Sequence, residues 1–344
     1  MIKKVLITGG SGYFGSVLIS KLLDKGYECI NFDISDPDEI DSKIKFIKGD
    51  IRDIQDVLKA CDGVDIVHHN VAQVPLAKND ALFRSVNYEG VENIMRASLQ
   101  NNVKKVVYTS SSAVFGVPKS NPVDDKAVPQ PGESYGQAKY DGEKICHSYI
   151  NKGLDISIVR PRTIMGHGRL GIFQILFEWI YKGQNVPVFN GGSNIYQFIH
   201  ADDLADACIL IGEKKDPDIF NCGASEFGSM KEVLDQICQY ANTGSKVRSV
   251  PMRPTIFGMN VFSKLGMSPL GPYHALMYGN SMYFDITKAQ TVLDWNPKYS
   301  NFEMFRDSYD WYIKNRDNVL NNNGTSLHKS TVQQGVLSLV GKFL

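Results

Sequence analysis

A strand-like run, Lys4-Val5-Leu6-Ile7-Thr8, breaks at Gly9-Gly10-Ser11-Gly12-Tyr13-Phe14-Gly15, and a helical pattern follows with no spacer. This junction narrows the fold more than any other feature of the chain. Gly9 allows a tight turn, Gly12 lets the backbone approach a pyrophosphate, and Gly15 permits close packing of helix on strand. The helix N-terminus adds partial positive charge. Tyr13 and Phe14 belong to the same loop. Glycines alone also serve ordinary turns, so the flanking strand and helix carry the reading. The next strand-like run, Glu28–Asp33, ends in an acid suited to a ribose 2′-hydroxyl and repellent to a 2′-phosphate. The expectation is a dinucleotide site that prefers NAD to NADP. The competing role for Asp33 is a turn before Ser35-Asp36-Pro37. After a third run, Asp50 and Ile51 fall where an adenine ring is reached, although Gly49-Asp50 is also plain turn chemistry.

The alternation of short β-branched runs and helical stretches continues to about residue 165, the signature of a parallel sheet with crossover helices. It predicts strands at Lys4–Thr8, Glu28–Asp33, Lys45–Lys48, Ile66–His69, Lys105–Thr109 and Asp155–Arg160. Helices are predicted at Gly15–Lys25, Ile54–Ala60, Leu82–Asn101 and Tyr135–Asn151. The fold class is α/β: a Rossmann-type, doubly wound parallel sheet with a smaller mixed C-terminal cap for substrate. Residues 1–165, with returning segments near 196–222, are expected to form the NAD-binding unit. Segments 166–195 and 223–315 form the cap, and 316–344 a linker and amphipathic tail. Lys+Arg and Asp+Glu both number 37, a balance that argues against a nucleic-acid partner. No apolar run reaches the roughly 18 residues of a spanning helix and the start has no cleavage-site pattern, so a cytoplasmic protein is expected. Six scattered cysteines form no Cys-x-x-Cys pair, which points away from zinc and disulfides. His68, His200 and His274 have no ligand spacing and are read as structural, with no metal.

The second chemical signal is Ser134-Tyr135-Gly136-Gln137-Ala138-Lys139. Tyr135 and Lys139 are i,i+4 neighbours on a helix, and a nearby ammonium lowers a phenol that normally titrates near 10. Upstream, Thr109-Ser110-Ser111-Ser112-Ala113 closes a buried strand where a nicotinamide would lie. With these residues in place the chain resembles the extended short-chain dehydrogenase/reductase family, in its NAD-dependent epimerase/dehydratase branch, over roughly residues 3–315. The likeness extends through His69-Asn70-Val71-Ala72, Asn87, Arg160-Pro161, Phe198-Ile199-His200-Ala201-Asp202-Asp203, and Phe284-Asp285-Ile286-Thr287-Lys288-Ala289 leading to Leu293, Trp295 and Pro297. The resemblance implies that Tyr135 is the general acid/base, that Lys139 holds the nicotinamide ribose, and that Ser111 orients the substrate. Ser111 is chosen because the family's hydroxyl stands five residues before the glycine matched by Gly116. Val71 and Ala72 are implied at the cofactor, and the helices 82–101 and 135–151 at a homodimer interface.

Departures from the family narrow the chemistry. Positions that are acidic in sugar-nucleotide dehydratases are Ser112 and Ala113 here, which cannot move a proton at carbon. Elimination of water is therefore not expected. Tyr196 stands where many nucleotide-sugar members have an arginine, and Arg162, Arg169 and Arg253 are the candidates to replace its charge on a diphosphate; each is equally read as a surface arginine. A methionine- and aromatic-rich insertion over 255–281 resembles the steroid-dehydrogenase side of the superfamily, or else is a hairpin capping the core. In the tail, Val332, Val336, Leu339, Val340 and Phe343 repeat at helical spacing. They are expected to dock on the body or a partner subunit rather than on a membrane surface. The expected function is an NAD-dependent epimerase or ketoreductase of a nucleotide-activated sugar. The alternatives are a dehydrogenase of a hydrophobic alcohol or ketone and a non-catalytic dinucleotide sensor, the last opposed by Ser111, Tyr135 and Lys139.

Overall fold

The structure is a computed structural model that describes residues 3–38, 41–73, 80–169, 172–252, 254–255 and 278–321. Arg253, most of the 255–281 insertion and the 326–344 tail lie outside the described residues.

Seven parallel strands form the central sheet: β1 (Lys4–Thr8), β2 (Glu28–Asp33), β3 (Ile44–Lys48), β4 (Ile66–His69), β5 (Lys105–Thr109), β6 (Ile156–Pro161) and β11 (Ile219–Cys222). Their order is β11-β6-β5-β4-β1-β2-β3. The chain winds outward one way from β1 and then the other way from β4, so the crevice for a ligand opens at the C-terminal ends of these two strands. Thr8 pairs with His69 across that crevice. Both faces of the sheet are apolar because alternate residues serve different cores. Val5, Ile7, Val107 and Val159 face one core, while Leu6, Val67, Val106 and Ile158 face the other. Each such side chain contributes about 2 kcal/mol on burial.

On the first face lie α1 (Tyr13–Asp24) and α7 (Ala201–Glu213). On the second lie α2 (Ile54–Ala60), α4 (Gly90–Gln100) and α5 (Ser134–Ile150). The single helix predicted over 82–101 is divided: α3 (Asp80–Arg84), a π-turn at Ser85–Glu89, and α4. The wide turn holds buried Asn87, whose amide both accepts from and donates to the Gln73 backbone. A third core joins β7 (Thr163–Met165), α6 (Ile172–Tyr181), β8 (Val186–Phe189), β9 (Ile195–Tyr196), β10 (Phe198–His200), α8 (Met230–Ala241) and the closing helix Asn301–Asn321. Asp203 ties distant motifs together, since its carboxylate accepts from Lys298 and Tyr299 and its carbonyl from the Trp295 indole. Among the described residues no helix is long and apolar enough to cross a membrane.

Candidate active site

The glycine loop turns the chain from β1 into α1. Gly9 sits at φ +72° and donates its N–H to Phe32 at 2.9 Å. A Cβ on Gly15 would fall on the Gly9 carbonyl oxygen, so only glycine lets the helix start this close to the strand. Gly12 is the N-cap and brings no side chain to cap the positive end of α1, which leaves that end fit for a dinucleotide pyrophosphate. Asp33 accepts from the Ser11 N–H at 3.1 Å and the Ser35 N–H at 2.9 Å. Its turn role is thus present, and the same carboxylate stitches the strand end to the glycine loop. Half-buried Val71 covers Gly9, with Ala72 beside it along the chain. Phe14 packs on the first core. Ile51 is buried against Gly90, and the Asp50 carboxylate is bound by Arg52, which holds it below the usual carboxylate range.

The reactive groups gather at the end of β5. Ser111 caps the short helical turn Ser112–Phe115, accepting from Ala113 N–H at 3.1 Å. α5 begins directly over this turn, because a Cβ at Gly136 would strike the Ala113 carbonyl. Glu133 caps α5, accepting from the N–H groups of Tyr135 at 2.8 Å and Gly136 at 2.6 Å. That contact places the Tyr135 phenol in a hydrogen bond with the Ser111 hydroxyl. Lys139, buried one turn on, donates to the Thr109 carbonyl at 2.7 Å. The expected lowering of Tyr135 by Lys139 is not found. Burial pushes the phenol up to about 12, the Ser111 hydrogen bond opposes it, Glu133 adds to it, and Arg169 is the cation acting the other way. Burial also draws Lys139 down to about 8, opposed by the electrostatic influence of Cys146 and Glu143. The ammonium is spent on a backbone carbonyl and a low-dielectric site, so burial outweighs the i,i+4 spacing.

The arginines divide. Arg160 is buried in a two-pronged pair with Glu143 (2.8 and 2.6 Å), and Ser110 donates to the same carboxylate at 2.6 Å. Arg162 is only 1% exposed. It donates to the Gln197 carbonyl at 3.2 Å and the Ser112 hydroxyl at 2.8 Å, and its guanidinium lies 4.7 Å over the Tyr196 ring. A cation thus stands beside position 196, carried by the residue that follows β6. Tyr196 hydrogen-bonds Thr163 at 3.0 Å. Arg169 stands 5.5 Å from the Tyr13 ring centre, donates to the Ile164 carbonyl at 3.3 Å, and is drawn down to about 10 by burial. Glu133, Gly136, Glu143 and Gln197 had no sequence reading. Only Glu143 carried a signal, as the next i,i+4 step after Lys139. His68 is buried and held neutral by burial, down to about 3, and the His200 ring caps α7 through Nδ1. Among the described residues no cluster could hold a metal.

A glycine-loop α/β sheet with a hydrogen-bonded Ser–Tyr pair and a buried lysine defines an oxidoreductase-type dinucleotide enzyme. The family model described as "NAD dependent epimerase/dehydratase family" matches residues 5–223, and the chain belongs to that family, whose cofactor is NAD. It is 50% identical to "Uncharacterized protein y4nG" of Sinorhizobium fredii, over 99% of this chain and 86% of the relative. A 3-beta-hydroxysteroid dehydrogenase of Mycolicibacterium neoaurum is 31% identical, covering 90% and 91%. A UDP-glucose 4-epimerase of Lactobacillus helveticus is 28% identical, covering 90% and 97%. The fold is similar to that of the UDP-glucose 4-epimerase of Thermotoga maritima crystallised with UDP-glucose, with a TM-score of 0.77 at 22% identity, covering 91% and 99%.

Proposed function

We propose that this enzyme oxidises, reduces or epimerises one carbinol carbon of a nucleotide-activated sugar. The observation that carries the reading is the Ser111–Tyr135 hydrogen bond beside buried Lys139. In the oxidising direction Tyr135 takes the hydroxyl proton while Ser111 holds the substrate oxygen. NAD, when bound, supplies the hydride acceptor and a positive ring that favours the phenolate. In the reducing direction the neutral phenol, already the stable form, returns the proton. Gly9, Gly12, Tyr13, Phe14, Gly15, Asp33, Val71 and Ala72 are proposed to hold the cofactor with Tyr135 and Lys139. For Asp50 and Ile51, side chains engaged by Arg52 and Gly90 leave mainly backbone for that role. Arg162 and Arg169, with Ser112 and Tyr196, are proposed at the substrate. Epimerase relatives matched along nearly their whole length support the nucleotide sugar. The exposed faces of α4 and α5 are proposed as the homodimer contact.

One observation favours the hydrophobic alcohol: Tyr196 is buried and packs against Phe198, with ring centres 4.9 Å apart, where the resemblance implies an arginine. The test is to denature freshly purified protein and identify what it releases. Stoichiometric NAD with a nucleotide sugar supports an epimerase that recycles its cofactor. Protein that binds added NAD but ignores UDP-, GDP- and dTDP-sugars overturns the sugar and leaves the alcohol.

A further inference from the structure

Among the described residues Arg162 is a buried cation without a counter-ion. Among the described residues no carboxylate pairs with it, and its Nη2 makes no hydrogen bond. Outside the described positions and side chains, side-chain carboxylates occur only at Glu39 and Asp80. Its other partners are neutral: the Gln197 carbonyl, the Ser112 hydroxyl, and the ring faces of Tyr196 at 4.7 Å and Phe284 at 5.7 Å. Aromatic faces and neutral oxygens offset only part of the cost of removing a full charge from water. Nearby, the protein solves the same problem fully for Arg160, so the deficit at Arg162 is specific to its place.

That place is next to the chemistry. Ser112, which accepts from Arg162, directly follows Ser111, whose hydroxyl bonds the reacting phenol. Consecutive Cα atoms are about 3.8 Å apart, so the residue that Arg162 holds adjoins the residue that bonds the phenol. Two residues against Arg162, Gln197 and Phe284, also line a cleft of about 280 Å³.

Resting on the reading that Ser111 and Tyr135 form the reaction site, we propose that Arg162 is an oxyanion receptor: the substrate must bring a carboxylate or phosphate that takes the Nη2 donor and neutralises the guanidinium. Neutral alcohols are then rejected, because they would leave the charge uncompensated. This selectivity separates the two candidate substrate classes.

The test uses the full-length protein, Arg162→Met and Arg162→Lys. Thermal shift and calorimetric titration are run with NAD, acetate, inorganic phosphate, UDP, UDP-glucose and UDP-glucuronate. For at least one anion, binding is expected to weaken about 10- to 100-fold in Arg162→Met, and less in Arg162→Lys, which keeps charge without the fork. Ligand-free Arg162→Met is expected to melt no lower than wild type. Arg162-dependence shared by phosphate and UDP assigns the anion to a diphosphate; dependence limited to acetate and UDP-glucuronate assigns it to a carboxylate. Either supports the proposal. Equal anion affinity in all three proteins, or a lower melting temperature of Arg162→Met with unchanged anion binding, overturns it. If Arg162→Met does not fold, equal affinity in Arg162→Lys and wild type decides against it, and weaker binding in Arg162→Lys decides for it. NAD is the independent control: failure of wild type to bind NAD sinks the oxidoreductase reading without touching the anion result.

Discussion

Arg160, near the end of β6, and Arg162, just past its end, are both buried, and they are treated in opposite ways. Arg160 meets a carboxylate in fork geometry, with Ser110 satisfying the same acid. Arg162 meets a carbonyl, a hydroxyl and two aromatic faces. The first arrangement is complete in the folded chain, and α5 is locked to β6 through it. The second is complete only with something added. A charge that belongs to the scaffold carries its counter-ion; a charge that belongs to a site leaves room for one.

Activity and stability should separate most widely at Tyr135. Tyr135→Phe is expected to reduce turnover on the order of 10³-fold with little change in melting temperature. Retained turnover would remove the phenol from the chemistry. The scaffold side is tested by Glu143→Gln, which leaves Arg160 buried and unpaired. A loss of about 3–5 kcal/mol in denaturant unfolding is expected, in contrast to the neutral or stabilising Arg162→Met. Equal losses at the two sites would erase the distinction.

Lys139 gives the next effect, and its sign follows from its depressed pKa. Between about 8 and the ordinary lysine value of 10.5 the unfolded chain holds a proton that the folded chain has released. Stability attributable to this group therefore rises across that window, by at most about 3 kcal/mol, and the penalty is complete below it. Lys139→Met should flatten this rise when unfolding is compared at pH 7 and 10. The smallest effect is expected at the exposed Asp50–Arg52 pair. Arg52→Ala should cost about 0–1 kcal/mol, measured by urea unfolding.

Local pattern carried most of the sheet. Apolar runs such as Val5-Leu6-Ile7 marked strands buried on both sides, and the glycine loop and Tyr135/Lys139 spacing located the site. What the pattern could not show depends on tertiary contact. Gly136 looks like any helical glycine until the Ala113 carbonyl is seen beneath it. The phenol's shift follows burial, which spacing does not encode. Asn87 sits in a helical stretch, yet its bonds to Gln73 accompany a widened turn. The Arg162 deficit appears only once the carboxylates of the described residues have been placed.

The six cysteines are all buried, and burial raises every thiol above its ordinary value. They are spread over all three cores: Cys29, Cys208 and Cys222 in the first, Cys61 and Cys146 in the second, Cys238 in the third. Because the thiolate is the reactive form, the native fold is nearly inert to alkylation, and each thiol reacts only when its own core opens. The chain therefore carries a built-in clock in each core, and the order in which the six are alkylated reads out which layer of the molecule breathes first.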